Sequence, residues 1–479
     1  MNIVHGHKQF DLINADVTNH CNARCFFCFN DWEEFKPFNM DIPTFQNLLR
    51  LLPMMESKDF LISCWFEPTI NPQFYDMLDL LPEEYRSKMY FTTNLVTKIA
   101  DSDIERMCRA NVDHINISLE TYDPADYEVI TGMKHTHFFE NLERIAEYGR
   151  KYHTDFHVIT MLTKRNAAYF RELVKRVHEE LAPSVHEIRT PFFFVEQTAS
   201  KPELVQELLT KDEIKAVRED VDSLGYTHLY WDTRFTKENF EKLEKNPEPH
   251  RKASNRVHYQ LRVNADGTAR ISNQKYGKQF DINDPDIIGQ LEKELILLQE
   301  REAADYLVKE EGLTVQTRRS DAPFHFDNVV LYDDRFLFIR GWTMNEADPA
   351  HEKDSERIAV LECGGRRIIS QMRTEQRKDI VEFFGNPDMR DVGFTTLFDL
   401  EGMQEEPFKL FSGYLYEEDH RAEILHQLYD STSGESGWPA EPAAPAEHTS
   451  AADEKAVQEK DGGKPSGLLN RLKRVVKRR

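Results

Sequence analysis

The sequence predicts an α/β protein that continues into a small all-β sandwich domain and a disordered tail. Three observations carry this. Six short runs rich in Ile, Val, Phe, Tyr or Thr recur through the first 200 residues, with helical patterns between them. Short alternating runs separated by turn residues fill 322–430. Beyond them lies a stretch poor in bulky apolar residues and rich in Pro, Ala, Ser, Gly and Glu.

In chain order, strands are expected at about 10–16, 59–65, 88–93, 114–119, 155–162 and 186–194. Between them, "MDIPTFQNLLRLLPMM" (40–55) carries Pro43 in its first turn. Residues 101–112, 136–152 and 168–183 place apolar residues at helical spacing. Strands alternating with helices build β/α units. In β/α barrels the chemistry sits at the C-terminal ends of the strands. Residues 201–310 begin as a Lys- and Glu-rich helical segment. "HYQLRVNADGTARISNQ" (258–274) then predicts a hairpin turning at Asp266-Gly267.

Composition narrows the function. With 479 residues the chain has room for two or three domains. Apolar residues make up 40% and charged residues 30%, the balance of a soluble globular protein. No run of about 20 apolar residues predicts a membrane span. The N-terminus lacks the apolar segment of a secretory signal. Six cysteines in such a chain are too few for a disulfide framework, so a reducing cytoplasm is expected. The net charge of -23 repels nucleic acid and anionic membrane wherever no local patch reverses it.

Three of the six cysteines fall in "VTNHCNARCFFCFN" (17–30): Cys21, Cys25 and Cys28. A disulfide would leave one unpaired. A structural zinc site wants four ligands, and His20 is badly placed beside Cys21 to be the fourth. Thiolates also hold iron–sulfur clusters. Three of them on one loop leave one iron of a four-iron cubane open, and an open position distinguishes catalytic metal sites from structural ones.

"CNARCFFC" directly after the strand-like "FDLINADVTN" resembles the radical S-adenosylmethionine (SAM) superfamily. The resemblance implies a partial (β/α)6 TIM barrel over 1–200 and one [4Fe–4S] cluster on Cys21, Cys25 and Cys28. It implies that SAM binds the open iron and is cleaved by an electron from the cluster, which arrives from a reductant such as flavodoxin or ferredoxin. The resulting 5′-deoxyadenosyl radical then abstracts hydrogen from a substrate. Phe27 fills the family's aromatic place before the last cysteine and is counted with the cofactor-binding residues.

Further segments follow the family's order. "ISCWFEPTINPQF" (62–74) resembles its GGEP segment, which makes Glu67 the acceptor for the SAM ammonium. Trp65 and Phe66 stand in place of its two glycines. "YFTTNLVTK" (90–98) resembles its TNG strand end, with Asn94 as a SAM or loop contact and Leu95 replacing the glycine. "HINISLET" (114–121) resembles its SLD segment, with Ser118 and Glu120 on one face by strand alternation. Ile159, Met161 and Leu162 are either a border to adenine or core. Lys164 and Arg165 either meet an anion or are solvated. Cys64 is either a hydrogen-atom donor near the radical or a buried strand thiol, whereas Cys108 and Cys363 read as structural.

No cysteine lies between Cys108 and Cys363, so the 201–310 extension, similar in order to that of peptide- and protein-modifying relatives, carries no auxiliary cluster. In 322–430, Gly341-Trp342, Arg377 with Asp379, and Gly393-Phe394 resemble a module found beside bacterial glycosyltransferases and other surface-polysaccharide proteins. Residues 431–467 predict a disordered linker. "LLNRLKRVVKRR" (468–479) predicts a basic amphipathic helix suited to an anionic membrane surface or an acidic protein groove. The sequence thus points to a cytoplasmic radical SAM enzyme, peripheral to the inner membrane face, that acts on a sugar, glycan or lipid-linked carbohydrate. A peptide- or protein-modifying enzyme and a non-catalytic scaffold of the same fold are the alternatives.

Overall fold

A computed structural model describes residues 3–28, 36–56, 59–63, 65–191, 202–245, 259–271, 278–317, 324–343, 355–377, 381, 391–403, 406–416 and 420–432. The chain begins with strand β1 (Val4–Gly6), which belongs to the sandwich, and then builds the barrel sheet. Strands β2 (Leu12–Ala15), β3 (Phe60–Ile62), β4 (Met89–Thr93), β5 (His114–Ser118), β6 (Phe156–Met161), β7 (Val185–Arg189) and β8 (Leu229–Asp232) lie side by side in that order, all parallel. On the other flank of β2, strand β9 (Gln260–Val263) runs parallel to it. Strands β10 (Thr268–Ile271) and β11 (Gln279–Asp281) extend that flank antiparallel.

Alternation sorts the two faces of this sheet. Ile13, Phe60, Ile62, Phe91, Ile115, Ile117, Val158 and Ile188 are buried in one core with apolar residues of the covering helices, such as Phe45, Ile104, Ile145 and Val174. The opposite face carries Asn14, Thr92, Asn116, His157, Glu187 and Arg189. Local chemistry sets the helix ends. Asp41 caps helix Ile42–Leu49 by accepting from the Thr44 amide at 2.9 Å. That helix stops well short of residue 55, because Pro53 has no N–H to continue it and restricts Pro53's predecessor. Helix Thr136–Tyr152 ends on His153 in the left-handed region, at φ 57°.

The sandwich has two five-stranded sheets. Its strands are β12 (Thr314–Thr317), β13 (Phe324–Tyr332), β14 (Phe336–Thr343), β15 (Ser355–Cys363), β16 (Arg366–Gln371), β17 (Arg373–Glu375), β18 (Gly393–Asp399), β19 (Phe408–Tyr416) and β20 (Arg421–Asp430). One sheet runs β1-β13-β14-β18-β17 and the other β12-β20-β19-β15-β16. Leu331, Ile339, Leu361, Phe394, Leu410 and Leu428 fill the space between them. Helix Ile287–Tyr306 joins the two bodies: Ile287, Leu291 and Leu295 belong to the barrel core, and Ala303 and Tyr306 to a cluster with Val330, Phe336 and Leu397 of the sandwich.

Several boundaries differ from expectation. Val4–Gly6 lies inside the range expected for the barrel but pairs with Val330–Tyr332 of the sandwich. Strands β8 and β9 come from the expected extension yet complete the barrel sheet, so its parallel strands exceed six. Strand β12 precedes residue 322 but pairs with β20. The hairpin at Asp266-Gly267 forms as expected, with Gly267 at φ 85°. Among the described residues no helix is long and apolar enough to cross a membrane. The 431–467 linker beyond Thr432 and the basic segment 468–479 lie outside the described residues.

The sandwich residues singled out in the sequence converge. Gly393 lies opposite Trp342 across the β14–β18 ladder, and the Arg377 guanidinium pairs with Asp327. A Cβ on Gly393 would come within 2.7 Å of the Glu375 carbonyl oxygen and press on the Arg377 stem. A Cβ on Gly341 would fall onto the His325 carbonyl, beside the β13 bulge. Asp379 lies outside the described residues. Gly341→Ala and Gly393→Ala are therefore expected to cost about 1–3 kcal/mol each by overpacking, read as a lower urea midpoint with unchanged slope.

Candidate active site at the strand ends

Each part of the site is a strand end or the loop after it. The loop after β2 is clipped first. Asn71, fully buried, donates through Nδ2 to the carbonyls of Val17 at 2.8 Å and Met40 at 2.9 Å. The cysteine loop then docks on the end of helix Pro124–Thr131. Arg24 N donates to Thr131 O at 2.7 Å and Phe26 N to Ile130 O at 3.0 Å. Gly132 leaves that helix at φ 68°, in the "VITGMK" stretch, and packs against Arg24. Arg24 Nη1 donates to the carbonyls of Cys21 and Ala23, each at 2.7 Å, and Cys28 N to Cys25 O at 2.9 Å. The loop is thus held largely through its main-chain amides and carbonyls.

Glu67 is the polar centre. It follows β3, is 2% exposed, and its carboxylate accepts four hydrogen bonds. Oε1 takes the Thr69 amide at 3.2 Å, the Thr69 hydroxyl at 2.6 Å and the Thr93 hydroxyl at 2.7 Å. Among the described residues Oε2 takes only the Asn94 amide, at 2.6 Å. A carboxylate has about four lone-pair sites, so the remaining acceptor capacity is on Oε2. Burial pushes the Glu67 carboxyl above its usual range, and the four donors pull the other way.

Asn94 bridges Glu67 to the cysteines. Its Nδ2 lies 3.6 Å from Cys21 Sγ and 3.2 Å from Asn22 Oδ1. Burial, reinforced by Glu67, pushes the Cys21 thiol up to about 12. Burial pushes Cys25 well up too, with Glu120, Cys21 and Cys28 adding to it. Cys21 and Cys25 therefore feel the neighbouring thiols and a carboxylate each, which disfavours their thiolates until a cation joins them. Among the described residues no three His, Cys, Asp or Glu side chains are gathered closely enough to share one metal ion. A cubane spreads three thiolates over three irons and asks for less closeness. The donor set, soft sulfurs on one loop with an amide N–H beside one of them, suits it.

Glu120 lies just beyond β5, 5% exposed, with Oε2 accepting the Met161 amide at 2.6 Å. Ser118 ends β5 half-buried. Phe27 meets Phe26 edge-on at 5.4 Å and packs with Leu204, Leu208 and Phe240. It anchors the loop to the segment after β7. Leu162 is core, whereas Ile159 and Met161 are half-buried on the opposite face of β6. Lys164 and Arg165 are paired with Glu213 at 3.5 Å and Glu207 at 2.9 Å. Cys108 and Cys363 are buried, each with its thiol on main-chain carbonyls. Cys64 lies outside the described residues.

Sequence reasoning missed part of the machinery. Thr69, Thr93 and Thr97 form the hydroxyl cradle around Glu67 and Asn22. Asp16, 1% exposed, accepts from the Trp65 amide at 3.3 Å and pairs with Arg262 at 3.4 Å. The Arg262 guanidinium lies 4.3 Å from the Trp65 ring centroid. Only the β2–β9 pairing brings that arginine to the site. A "TTN" strand end was a readable signal for Thr93, but nothing local marks Arg262.

Comparison with known proteins places a family on part of the chain. The sequence profile of the Radical SAM superfamily matches residues 16–177. GTP 3′,8-cyclase of Haemophilus ducreyi is 24% identical over 149 residues, which is 30% of this chain and 43% of that protein. Molybdenum cofactor biosynthesis protein 1 of Mus musculus is 28% identical over 151 residues, 30% of this chain and 23% of that protein. These matches span less than half the length of either curated relative. The structure of Streptococcus suis SuiB bound to S-adenosylmethionine aligns with TM-score 0.40 at 15% identity, over 60% of this chain and 68% of that one. Native anSMEcpe with bound AdoMet aligns with TM-score 0.40 at 16% identity, over 58% and 80%. Residues 16–177 are a radical SAM domain, and the C-x3-C-x2-C motif of that superfamily of enzymes falls on Cys21, Cys25 and Cys28. The superfamily's cofactors are a [4Fe–4S] cluster and SAM.

Glu120 gives this site a pH signature. Burial raises its carboxyl from 4.5 to about 7. Between those values the folded chain holds a proton that the unfolded chain has lost, so stability falls as pH rises through the window, by about 3 kcal/mol in all. Glu120→Gln keeps an acceptor for the Met161 amide and removes the titration. In metal-free protein, urea unfolding at about pH 5 and about pH 8 is expected to show the wild type losing stability relative to the variant at the higher pH. Equal changes in both would place the Glu120 proton elsewhere.

Proposed function

We propose that this chain is a radical SAM enzyme with a single [4Fe–4S] cluster on Cys21, Cys25 and Cys28. The observation that carries the reading is the Cys21–Asn94–Glu67 chain of contacts at the ends of parallel strands. When bound, the cluster supplies one electron to SAM, which gives methionine and a 5′-deoxyadenosyl radical. The chain's own residues then have defined tasks. Cys21, Cys25 and Cys28 leave one iron open for SAM. Glu67 Oε2 would receive the SAM ammonium, whose charge would favour the carboxylate against the burial that raises it. Asn94 donates to the sulfur of Cys21 and steadies the cysteine loop. The hydroxyls of Thr69 and Thr93 fix the Glu67 carboxylate before SAM arrives, so no reorganisation is needed on binding. Glu120 and Ser118 face SAM from the end of β5.

A sugar, glycan or lipid-linked carbohydrate is the substrate class we favour. It rests on the 322–430 module and on the basic segment 468–479, which would hold an otherwise acidic protein at an anionic membrane surface. A peptide or protein substrate is the second reading, favoured by the β9–β11 flank added to the barrel. Flavodoxin or ferredoxin would supply the electron.

The test is anaerobic. Reconstitution with iron and sulfide should load about four irons per chain, and SAM with dithionite should yield 5′-deoxyadenosine. Alanine at Cys21, Cys25 or Cys28 should abolish cluster and product together. Glu67→Gln should leave the iron content intact, raise the SAM concentration needed at least about tenfold and lower turnover, as expected for losing a buried charged hydrogen bond. A loaded cluster that never cleaves SAM, even with cell extract present, would make the protein a non-catalytic scaffold.

A further inference from the structure

Among the described residues, eight that are not glycine hold a positive φ. Six stand where such residues are at home. Asn111, His153 and Ala182 follow helix ends, Asp333 and Asp334 turn the chain between β13 and β14, and His420 lies between β19 and β20. The other two, Ser63 and Leu95, stand at the ends of the neighbouring parallel strands β3 and β4, before and after Glu67 in the chain. Ser63 breaks two local rules at once. It holds φ at 62°, a region serine seldom enters. It is 1% exposed, and its buried hydroxyl has no hydrogen-bond partner. Each is a cost that glycine would remove, and a serine side chain has little apolar surface to offset them. Such a residue at a site points to a task for its conformation.

The amides around Ser63 show the task. Ser63 N donates to Ala15 O at 2.8 Å, which carries the β2–β3 ladder one residue past β3. In a parallel ladder, amides two residues apart bond carbonyls two residues apart. Continued so, Trp65 N would take the Val17 carbonyl. It donates instead to Asp16 Oδ1 at 3.3 Å, and Val17 O is left to Asn71 Nδ2 at 2.8 Å. Glu67 N then donates to His20 O at 3.2 Å, the carbonyl directly before Cys21. The left-handed residue thus stands where the ladder stops and bonds to the stem of the cysteine loop take over. Those bonds run from Asp16 to His20 on one side and from Trp65 to Glu67 on the other. They fix the stem of the thiol-bearing loop to the residue that carries the buried carboxylate.

We propose that Ser63 is a positioning residue of the radical site: its left-handed backbone sets where the cysteine loop stands relative to the Glu67 carboxylate. It acts through the Trp65 and Glu67 amides, and its hydroxyl is dispensable. The proposal rests on the reading of Cys21, Cys25 and Cys28 as cluster ligands and of Glu67 as the SAM acceptor. Glycine keeps the conformation and loses the hydroxyl. Threonine keeps the hydroxyl and, being β-branched, opposes the conformation. The two substitutions therefore separate backbone from side chain.

The test begins with the metal-free full chain. It is alkylated with iodoacetamide under native conditions, and peptide mass mapping gives a rate for each thiol. Cys108 and Cys363, both buried, report opening of the fold, whereas Cys21, Cys25 and Cys28 report the loop. Ser63→Thr should speed the loop thiols several-fold and leave Cys108 and Cys363 at their wild-type rates. Ser63→Gly should leave every rate unchanged and raise the urea midpoint, because it relieves a left-handed residue. In the reconstituted protein, Ser63→Thr should raise the SAM concentration needed for half-maximal 5′-deoxyadenosine formation, and Ser63→Gly should not. A wild type that never cleaves SAM would sink the functional reading, while the alkylation and urea arms still judge Ser63. Loop thiols unmoved by Ser63→Thr, acceleration shared by Cys108 and Cys363, or a Ser63→Gly variant that speeds the loop or lowers the urea midpoint would overturn the proposal. If Ser63→Thr fails to fold, the Ser63→Gly arm decides alone.

Discussion

A carboxylate buried among strand ends can be kept only if it is fully answered, and Glu67 shows what that demands. Its donors come from two segments, the turn it starts and the end of β4, and the Asn94 side chain at that end reaches on to the cysteine loop. Neither segment can move alone without stripping a donor from a buried charge. Removing one partner of such a group costs about 1–3 kcal/mol or more, so the network sets the loop positions more firmly than apolar packing would. The cysteine loop itself has few apolar anchors beyond Phe26 and Phe27. Its geometry is inherited from Glu67, from Asn71 beneath β2 and from the end of helix Pro124–Thr131.

A second constraint links the bodies. Helix Ile287–Tyr306 spends one half in the barrel core and the other against the sandwich, and strand β1 returns the N-terminus to the sandwich sheet. The chain therefore crosses between the bodies at both ends of the barrel. The crossings lie at the foot of the strands, where Asp11 takes the Tyr259 amide at 2.8 Å and the Tyr332 hydroxyl donates to Glu56 at 2.9 Å. The foot of the strands is thereby closed by polar contacts.

Local patterns made much of this legible. Cysteine spacing, the strand runs and the Asp266-Gly267 turn each carry their own geometry within a few residues. The six core strands appear near their expected places for that reason. What failed was non-local. Val4–Gly6 is exposed on both sides of its backbone and reads as nothing until Val330–Tyr332 pairs with it. Leu229–Asp232 is too short and too exposed to show alternation. Arg262 reaches Asp16 because β9 adds to β2, a pairing across almost 250 positions that no spacing rule encodes. Phe27 packs against Leu204, Leu208 and Phe240, a surface assembled from later in the chain that the cysteine motif itself does not announce.

The replaced glycines divide into two physical cases. Trp65 and Phe66 are not among the described residues with positive φ, so the chain there needs no left-handed residue. What glycine would give is space, and that space is taken by the Trp65 ring under the Arg262 guanidinium. The substitution therefore narrows the approach beside Asp16 rather than straining the backbone, and Glu67 two residues on keeps its bonds. Leu95 is the opposite case. It holds φ at 53°, a conformation that costs a non-glycine residue about 1–2 kcal/mol. Its side chain is fully buried, and burying a leucine returns about 1.5–3 kcal/mol. Burial thus offsets the strain at Leu95, and the turn that presents the Asn94 amide to Glu67 survives without its glycine. The two ends of the Glu67 network reach the same carboxylate geometry by different means: one closes space, the other stores strain in a packed core.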